Sequence, residues 1–352
     1  MKVLGIETSC DETAASVVED GKRLLSNVVA SSMDLHAQYG GVVPEIAARS
    51  HIEVILPVIA EALEDAKCTW DDIDAIAVTY GAGLGGSLLI GVLTARTLAI
   101  AHSKPLYAIN HVEAHIYANF LTETSLPGYN MRQNQPEFPM LAIIVSGGHS
   151  QFALFDDHFK YRLLGQTQDD AIGEAFDKVA KIIGLPYPGG PSVSKYALKG
   201  DANAYQLPKA KVGKYDFSFS GLKTAVLRLA QAEIGEDYTF PSMGLPERLS
   251  EAQKANIAAS FQRVAIETVV GKALKACEEF DPKSVVIAGG VAANQELRDQ
   301  LTDKLPLPVE FPDLKLCTDN GAMIATLGCF KAMNNQTAAD PYTLDISPNL
   351  SM

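Results

Sequence analysis

Two histidines one helical turn apart are the residues of this chain best suited to chemistry. Residues 110–115 read NHVEAH, and His111 and His115 would share one helical face, where two neutral imidazoles can reach one metal ion. Asn110 and Glu113 form an N-x-x-E pattern that predicts a helix beginning at His111. The positive end of the helix dipole disfavours protonated imidazole there, which keeps a ring nitrogen available for the ion.

The residues between the histidines argue against a zinc protease. Such enzymes use H-E-x-x-H, with a glutamate directly after the first histidine as general base, whereas Val112 holds that position here. Glu113 lies about 200° around the helix from His111 and points away from the ion. The alternative to metal binding is a pair of surface or packing histidines.

A carboxylate is the expected third ligand. Asp319 lies in the polar turn 318–321, directly before the last apolar helix. Without a metal it would be an ordinary carboxylate at a helix N-terminus. With His111 and His115 it makes a set of two imidazoles and one carboxylate with open positions, which suits Fe(II) or Zn(II).

Polar tips between apolar runs are the second feature that points to chemistry. Apolar residues continue on both sides of the polar run 7–13 and again on both sides of 146–150, and a third apolar strand, 285–288, enters a glycine turn before a helix capped by Asn294. Backbone N–H groups in tight glycine turns cradle phosphate oxygens, although a Gly-Gly pair is more often an ordinary turn. The repetition predicts a duplicated domain that holds a polyphosphate.

The elements that position these residues belong to a chain of about two domains. The chain has 352 residues, 47% of them hydrophobic, and a net charge of -13, and domains average roughly 150 residues. The five cysteines are scattered without a C-x-x-C pair, and the start of the chain lacks the basic-then-apolar order of a signal peptide. We therefore expect a cytoplasmic protein.

The uncharged stretch 75–95 is long enough to cross a bilayer, but its glycines predict a buried strand, 74–80, a glycine turn and a buried helix that runs to His102. We expect no membrane contact. Residues 81–86 also satisfy the dinucleotide motif G-x-G-x-x-G. No acidic residue occurs from 87 to 112, so the partner that would hold the ribose is missing, and a nicotinamide enzyme is disfavoured.

A lysine-rich segment is the candidate contact with nucleic acid. Residues 195–223 hold six lysines against two acids in an otherwise acidic chain. Phosphate binding draws on such clusters, although lysines on a solvated surface are the ordinary interpretation. The six are Lys195, Lys199, Lys209, Lys211, Lys214 and Lys223.

Six separated motifs follow one another along the chain. They are ETSCDET (7–13), HVEAH (111–115), VSGGH (145–149), GEAFDK (173–178), FSFSGLKT (217–224) and CTDNGA (317–322). Together they resemble the bacterial tRNA N(6)-adenosine threonylcarbamoyltransferases, a family formerly labelled glycoproteases. The resemblance extends in order from residue 1 to residue 330, and six motifs at once are highly specific.

The resemblance implies an α/β architecture, the duplicated actin-like ATPase fold of sugar kinases, Hsp70 and actin. Each domain would be a mixed five-stranded sheet with helices, and a nucleotide cleft would lie between them. We expect an N-terminal subdomain at 1–121 with the metal helix, a linker at 122–139, a C-terminal subdomain at 140–330 with the nucleotide loops, and a loose polar tail at 331–352.

The resemblance also assigns roles to residues. It makes His111, His115 and Asp319 metal ligands, with Fe(II) favoured over Zn(II) and one ion per subunit. The residues that it assigns to the nucleotide substrate are Val145, Ser146, Gly147, Gly148, His149, Asp177, Gly190 and Asn294. On their own, Asp177 would be a solvated helix residue, Gly190 a turn residue and Asn294 a helix cap.

The implied reaction transfers a threonylcarbamoyl group from threonylcarbamoyl-adenylate to the exocyclic N(6) amine of adenosine 37, in tRNAs that read codons beginning with A, and releases AMP. Threonylcarbamoyl-adenylate, or ATP or ADP, would occupy the nucleotide loops. The implied partners are tRNA, a smaller paralogous actin-like subunit and a P-loop ATPase subunit. Glu12 and Asp11, on the first polar tip, are our hypothesis for a general base or an assisting carboxylate.

Three alternative functions remain open. An actin-like sugar kinase would use a catalytic aspartate just before the second Gly-Gly, where Ser146 stands. A non-catalytic scaffold would have no reason to keep both histidines and the nucleotide loops, and metal analysis separates it from an enzyme. The old protease label predicts peptide cleavage, for which the HVEAH motif provides no base.

Overall fold

An antiparallel hairpin opens the chain and forms the centre of its first sheet. The computed structural model describes residues 1–37, 39 and 41–352. Strand β1 pairs with β2, so that the polar run at 7–13 forms the tip of the hairpin. The elements up to residue 136 are β1 (Lys2–Glu7), β2 (Glu12–Glu19), β3 (Arg23–Leu24), β4 (Val28–Ser31), α1 (Met33–Ala37), α2 (Pro44–Asp65), β5 (Ala75–Gly81), α3 (Gly85–His102), β6 (Leu106–Asn110), α4 (His111–Tyr117) and β7 (Glu123–Thr124).

The second sheet repeats this arrangement. An antiparallel hairpin of β8 and β9 has the residues after Val145 at its tip, as expected from the sequence. The remaining elements are β8 (Met140–Val145), β9 (Ser150–Asp157), β10 (Lys160–Gln166), α5 (Ile172–Ile183), α6 (Gly189–Ala197), α7 (Ser220–Glu233), α8 (Leu245–Arg248), α9 (Glu251–Phe280), β11 (Ser284–Ala288), α10 (Gln295–Lys304) and α11 (Gly321–Met333).

The two sheets share a topology but differ in size. In each, a parallel strand lies beside the first strand of the hairpin, β5 beside β1 and β11 beside β8. The first sheet has seven strands, because the short β3, β4 and β7 extend it, and the second has four among the described residues. The expectation of five strands in each is therefore wrong. In the second sheet Phe217 makes only an isolated bridge with Thr167, because Asp169 binds the backbone N–H groups of Phe219 and Ser220 and turns the chain into α7.

The chain divides into two compact units that differ from the expected boundaries. Unit 1 consists of Met1–Pro136 with Glu310–Met352, and unit 2 of Glu137–Val309. Residues 310–330, expected in the C-terminal subdomain, belong to unit 1 because α11 packs on β1 and β2. Glycine permits this approach, since a Cβ at Gly5 would clash with the backbone of Ala325. Most of the expected linker belongs to unit 1 as well.

Helix α3 is the apolar stretch that raised the question of a membrane. It is long and apolar enough to span a bilayer by length and composition alone, with 33% of it buried. It packs against α2 and β5 within unit 1, so the predicted strand, turn and helix are present. The helix is less buried than expected, because Leu89 and Leu93 are exposed at 41% and 44%.

The tail after α11 is not loose. Although it forms no helix or strand, Ala339 bridges to Leu106, and Leu344 and Ile346 pack against the core of unit 1. The interpretation of 331–352 as a loose tail rested on its polar composition, and it is wrong. Backbone carbonyls of the segment accept hydrogen bonds from unit 1, and composition does not reveal such contacts.

Candidate active site

The predicted metal ligands converge at one point of unit 1. Helix α4 begins at His111, as predicted, and the Asn110 side chain accepts hydrogen bonds from the backbone N–H groups of Val112 and Glu113. His111 and His115 lie edge to face, with ring centroids 4.7 Å apart. Asp319 directly precedes Asn320, which caps α11, and the packing of α11 on α4 brings its carboxylate to the histidines.

The distances among these three residues fit one metal ion. Asp319 Oδ1 lies 3.5 Å from His111 Nε2 and 3.2 Å from His115 Nε2, and one ligand atom from each residue lies within 4.8 Å of the others. Two ligand atoms each about 2.1 Å from one tetrahedral ion are about 3.4 Å apart. The donor set, two imidazoles and a carboxylate, suits Fe(II) or Zn(II).

A fourth residue that the sequence did not single out supports His111. Glu7, at the end of β1 and fully buried, lies with Oε2 3.2 Å from His111 Nδ1. Ligating histidines commonly donate their second ring N–H to a carboxylate, which fixes the tautomer and frees the other nitrogen for metal. This contact gives the site the outer partner that a metal centre needs. The available signal was an acidic residue where a buried strand ends.

The electrostatics of the centre favour a cation. Burial opposes ionisation of Glu7, but the neighbouring His111 holds its pKa below the ordinary value. Burial lowers the pKa of His111, yet Asp319 and Glu7 outweigh it and raise that pKa to about 9. The Nδ1 atom of His115 is buried with no hydrogen-bond partner among the described residues. Two carboxylates therefore draw positive charge to the imidazoles, which a metal ion would supply in place of a proton.

The first hairpin tip brings the proposed catalytic carboxylates beside this centre. Ser9 Oγ lies 3.1 Å from His111 Nδ1. Burial, with Asp319 and Asp11, raises the pKa of Glu12 to about 9. A neutral Glu12 cannot accept a proton, so the hypothesis of a general base at Glu12 requires a bound cation that would offset the neighbouring acids.

Glu113 is the single acid of the HVEAH motif and is not one of the three residues that could hold a metal ion. The predicted cap is one-sided: the Asn110 side chain accepts two backbone hydrogen bonds, and the Glu113 side chain takes no part in the cap among the described residues. Burial raises the pKa of the Glu113 carboxyl.

The predicted nucleotide loops all lie in unit 2. At the second hairpin tip Ser146 N–H donates to the carbonyl of His149, and His149 N–H donates to Ser146 Oγ. Gly147 and Gly148 are exposed, and a Cβ on either would meet no atom within 4 Å. Packing in unit 2 therefore does not require these glycines, which leaves room for a ligand.

The other predicted nucleotide residues surround the N-terminus of α6. Asp177 Oδ1 accepts a 2.7 Å hydrogen bond from the N–H of Gly189, and burial raises the pKa of Asp177. It is therefore not the solvated helix residue that its sequence context suggests. Gly190, in the first turn of α6, has open space where a Cβ would stand.

Asn294 caps α10 as predicted and also joins a hydrogen-bond network. Its Oδ1 accepts from Leu297 N–H, while its Nδ2 donates to Ser194 Oγ and to Gln262 Oε1, at 2.9 and 3.0 Å. Ser194 Oγ in turn lies 2.9 Å from the carbonyl of Gly190. Gln262, in the middle of α9, gave no signal in the sequence because its partners come from distant elements.

Half of the predicted tRNA lysines are engaged within unit 2. Lys209 pairs with Glu267, Lys214 with Glu279, and Lys223 with Asp170. No ion pair involves Lys195, Lys199 or Lys211 in the part of the chain that is described. The basic surface predicted from composition therefore has fewer than six lysines without an acidic partner in the described chain.

Known proteins match this chain over nearly its whole length. A family model described as tRNA N6-adenosine threonylcarbamoyltransferase matches residues 23–326. The protein of that name from Dehalococcoides mccartyi is 47% identical over 100% of this chain and 99% of its own length. The one from Symbiobacterium thermophilum is 50% identical over 93% and 91%. This chain belongs to the tRNA N6-adenosine threonylcarbamoyltransferase family. It is therefore a transferase that modifies tRNA.

Solved structures agree on the fold. Component A of the (R)-2-hydroxyglutaryl-CoA dehydratase of Acidaminococcus fermentans aligns with a TM-score of 0.51 at 17% identity, over 95% of this chain and 99% of that chain. At such identity the likeness concerns the fold alone, which is the actin-like ATPase fold expected from the sequence. The family assignment makes the His111, His115 and Asp319 cluster the first candidate for its active site.

Proposed function

We propose that this chain transfers a threonylcarbamoyl group from threonylcarbamoyl-adenylate to the N(6) amine of adenosine 37, in tRNAs that read codons beginning with A. The amine nitrogen attacks the carbamoyl carbonyl carbon, the bond from that carbon to the phosphate oxygen breaks, AMP leaves, and the amine loses a proton. The observation that carries the proposal is the cluster of His111, His115 and Asp319, backed by Glu7, in a chain of this family.

The metal centre would supply positive charge near the reacting group. His111, His115 and Asp319 would hold Fe(II) in preference to Zn(II), one ion per chain. When bound, the ion supplies positive charge to a phosphate or carbonyl oxygen. Glu7 keeps the His111 ring in the orientation that directs Nε2 to the ion.

The nucleotide loops of unit 2 would hold the adenylate. Gly147, Gly148 and Gly190 have free space where a Cβ would stand, so their backbone N–H groups can approach phosphate or ribose oxygens closely. Ser146, His149, Asp177 and Asn294 hold the backbone at these points. ATP or ADP in the same loops is the competing outcome, and nucleotide-binding measurements with each compound separate them.

A proton must leave the amine, and Glu12 or Asp11 is our candidate to receive it. A Glu12→Ala protein with unchanged metal content is expected to lose turnover by 10²-fold or more. Unchanged turnover removes Glu12 from the mechanism.

We further propose that the chain works in the cytoplasm with tRNA, a smaller paralogous actin-like subunit and a P-loop ATPase subunit. Helices α2 and α3, which pack on each other, expose Ile52 and Leu56 at 61% each and Leu89 and Leu93 at 41% and 44%. Exposed apolar side chains on neighbouring helices are typical of a surface that a protein partner covers. The cysteines are all free in the described chain, which is consistent with a reducing compartment.

The test supplies the purified chain and these partners with threonylcarbamoyl-adenylate and unmodified tRNA, and the nucleosides are analysed by mass spectrometry. We expect threonylcarbamoyladenosine at position 37 and one AMP per modification, with both lost for His111→Ala and His115→Ala. An unmodified tRNA with the metal-loaded wild-type complex would refute the proposed reaction.

A further inference from the structure

The C-terminal segment 339–352, here called the C-terminal strap, crosses the edge of unit 1 that carries the metal helix. Its first contact is the 2.7 Å hydrogen bond from Ala339 N–H to the carbonyl of Leu106 in β6. Further along, Ser347 N–H donates to the carbonyl of Tyr80 at 2.7 Å, and Pro348 accepts from Gly83 N–H at 3.1 Å. The strap therefore follows β6 and the end of β5 towards α4.

One arginine anchors the strap. Arg96, on α3, donates from Nε to the carbonyl of Pro341 at 2.6 Å, from Nη2 to that of Tyr342 at 2.6 Å, and from Nη1 to that of Leu344 at 3.2 Å. The guanidinium is permanently charged, and its planar set of donors can serve several acceptors at once. No salt bridge with a carboxylate involves Arg96 in the residues that the structure describes, so its charge is directed to the strap.

The far end of the strap reaches the cap of the metal helix. Asn110 Nδ2 donates to the carbonyl of Ser351 at 3.0 Å, while Oδ1 of the same amide accepts from Val112 and Glu113. Both ends of the Asn110 amide are thus occupied, and the strap and the first turn of α4 together hold its orientation. The next residue is His111, so the amide fixes the start of the helix that carries both imidazoles.

A second connection passes through the glycine turn after β5. Pro348 binds the N–H of Gly83, and Leu84 N–H donates to the carbonyl of Ser9 at 2.8 Å. Gly83 has φ +155° and no room for a side chain, because a Cβ there would stand 2.7 Å from Ser9. The hydroxyl of Ser9 contacts His111 Nδ1. The strap therefore supports His111 from the cap and from the hairpin tip.

We propose that the C-terminal strap is part of the framework of the metal centre and that Arg96 is a positioning residue that holds it there. The strap supplies none of the three candidate metal ligands, and it acts by fixing Asn110 and the glycine turn, which orient His111 and Ser9. The inference rests on the proposed metal site, so binding of Zn²⁺ by the wild-type chain is measured first. Failure of that binding would count against the metal site, whereas normal wild-type binding lets the variants test the strap alone.

The experiment measures Zn²⁺ affinity of the full chain by competition with a chromophoric chelator, alongside a thermal melt of the same samples. Arg96→Gln and a chain ending at residue 346 are expected to bind Zn²⁺ at least tenfold more weakly than wild type, as for other losses of outer support around a metal. Arg96→Lys keeps the charge, but its three N–H groups share one nitrogen and cannot reproduce the planar spread of Nε, Nη1 and Nη2, so an intermediate affinity is expected. Arg23→Gln removes an equal charge from an exposed ion pair with Glu19 and is the matched control, with wild-type affinity expected.

A chain ending at residue 349 separates positioning from stability. It loses the contact of Ser351 with Asn110 but keeps the Arg96 anchor and the packing of Leu344 and Ile346 on the core, so its melting temperature is expected to stay near that of wild type. Weaker Zn²⁺ binding in this folded variant supports the proposal. Zn²⁺ affinity within twofold of wild type both in this variant and in the chain ending at residue 346, which also loses the contact of Pro348 with Gly83, overturns it.

Discussion

Replacing Glu7 by glutamine tests whether the buried carboxylate supports the metal centre. Glu7 Oε1 accepts from Ser9 N–H at 2.5 Å, and Oε2 accepts from Thr79 Oγ1 at 2.5 Å and faces His111 Nδ1 at 3.2 Å. Glutamine keeps one oxygen and presents an NH₂ group in place of the other. Either the N–H of Ser9 or the Nδ1–H of His111 in its metal-binding tautomer then meets another donor instead of an acceptor.

The size of the effect follows from these three contacts. A buried donor without an acceptor costs about 1–3 kcal/mol of folding free energy, and loss of the carboxylate behind a ligating histidine lowers metal affinity roughly 10- to 100-fold. At about 1.4 kcal/mol per factor of ten, the loss in binding free energy is about 1.4–2.8 kcal/mol. Glu7→Gln is therefore expected to weaken folding and Zn²⁺ binding by comparable amounts.

The assay combines urea denaturation of the metal-free chain with chelator competition for Zn²⁺. Glu19→Gln is the matched control, because Glu19 takes part in an exposed ion pair with Arg23 that is worth at most about 1 kcal/mol, and its Zn²⁺ affinity should not change. If folded Glu7→Gln protein binds Zn²⁺ within twofold of wild type, the assignment of Glu7 as the support of His111 is wrong.

Three further predictions concern pH, RNA and the adenylate. Burial lowers the pKa of His51, so on acidification the unfolded chain binds a proton at this residue before the folded chain does. The free energy of unfolding should therefore fall as the pH drops below about 6.5. Denaturation at pH 7.5 and 5.5 should show a smaller difference in the free energy of unfolding for His51→Gln than for the wild type. A Lys211→Gln change should reduce the salt dependence of tRNA binding by about one unit of log–log slope, and Lys214→Gln, which removes a lysine paired with Glu279, should reduce it less. Gln262→Leu should raise the KM for threonylcarbamoyl-adenylate about tenfold, since an unpaired buried group costs about 1–3 kcal/mol. Gln262→Glu keeps an acceptor and should largely restore the wild-type KM. If Gln262→Leu and the wild type have equal KM values, Gln262 has no positioning role.

The local features of the fold could be predicted because they depend on neighbouring residues. The Asn110 cap, the hairpin tips and the helix after Asn294 follow from turn chemistry and apolar periodicity, and the structure has them where expected. The placement of α11 in unit 1 depends on close packing at Gly5 against residues more than 300 positions away. No local pattern encodes such a contact.

The candidate site also has residues that a local pattern predicts and residues that it does not. The spacing of His111 and His115 predicted a shared helical face, and the structure brings Asp319 to it. Glu7 and Gln262 were missed because a single acidic or amide residue has no periodicity and becomes informative only when its partners are known. Arg96 was missed for a stronger reason, since it binds backbone carbonyls, which every residue has.

The acids around the histidines decide how a catalytic carboxylate can be tested. Burial raises the pKa of Glu12 to about 9, and Asp319 and Asp11 contribute, because nearby like charges disfavour a second ionised carboxylate. A divalent cation held by Asp319 would offset that repulsion and favour the ionised form of Glu12. Removing either histidine would therefore change two things at once, the ion and the charge of Glu12. Only a Glu12 substitution compared at equal metal occupancy separates proton transfer from metal binding.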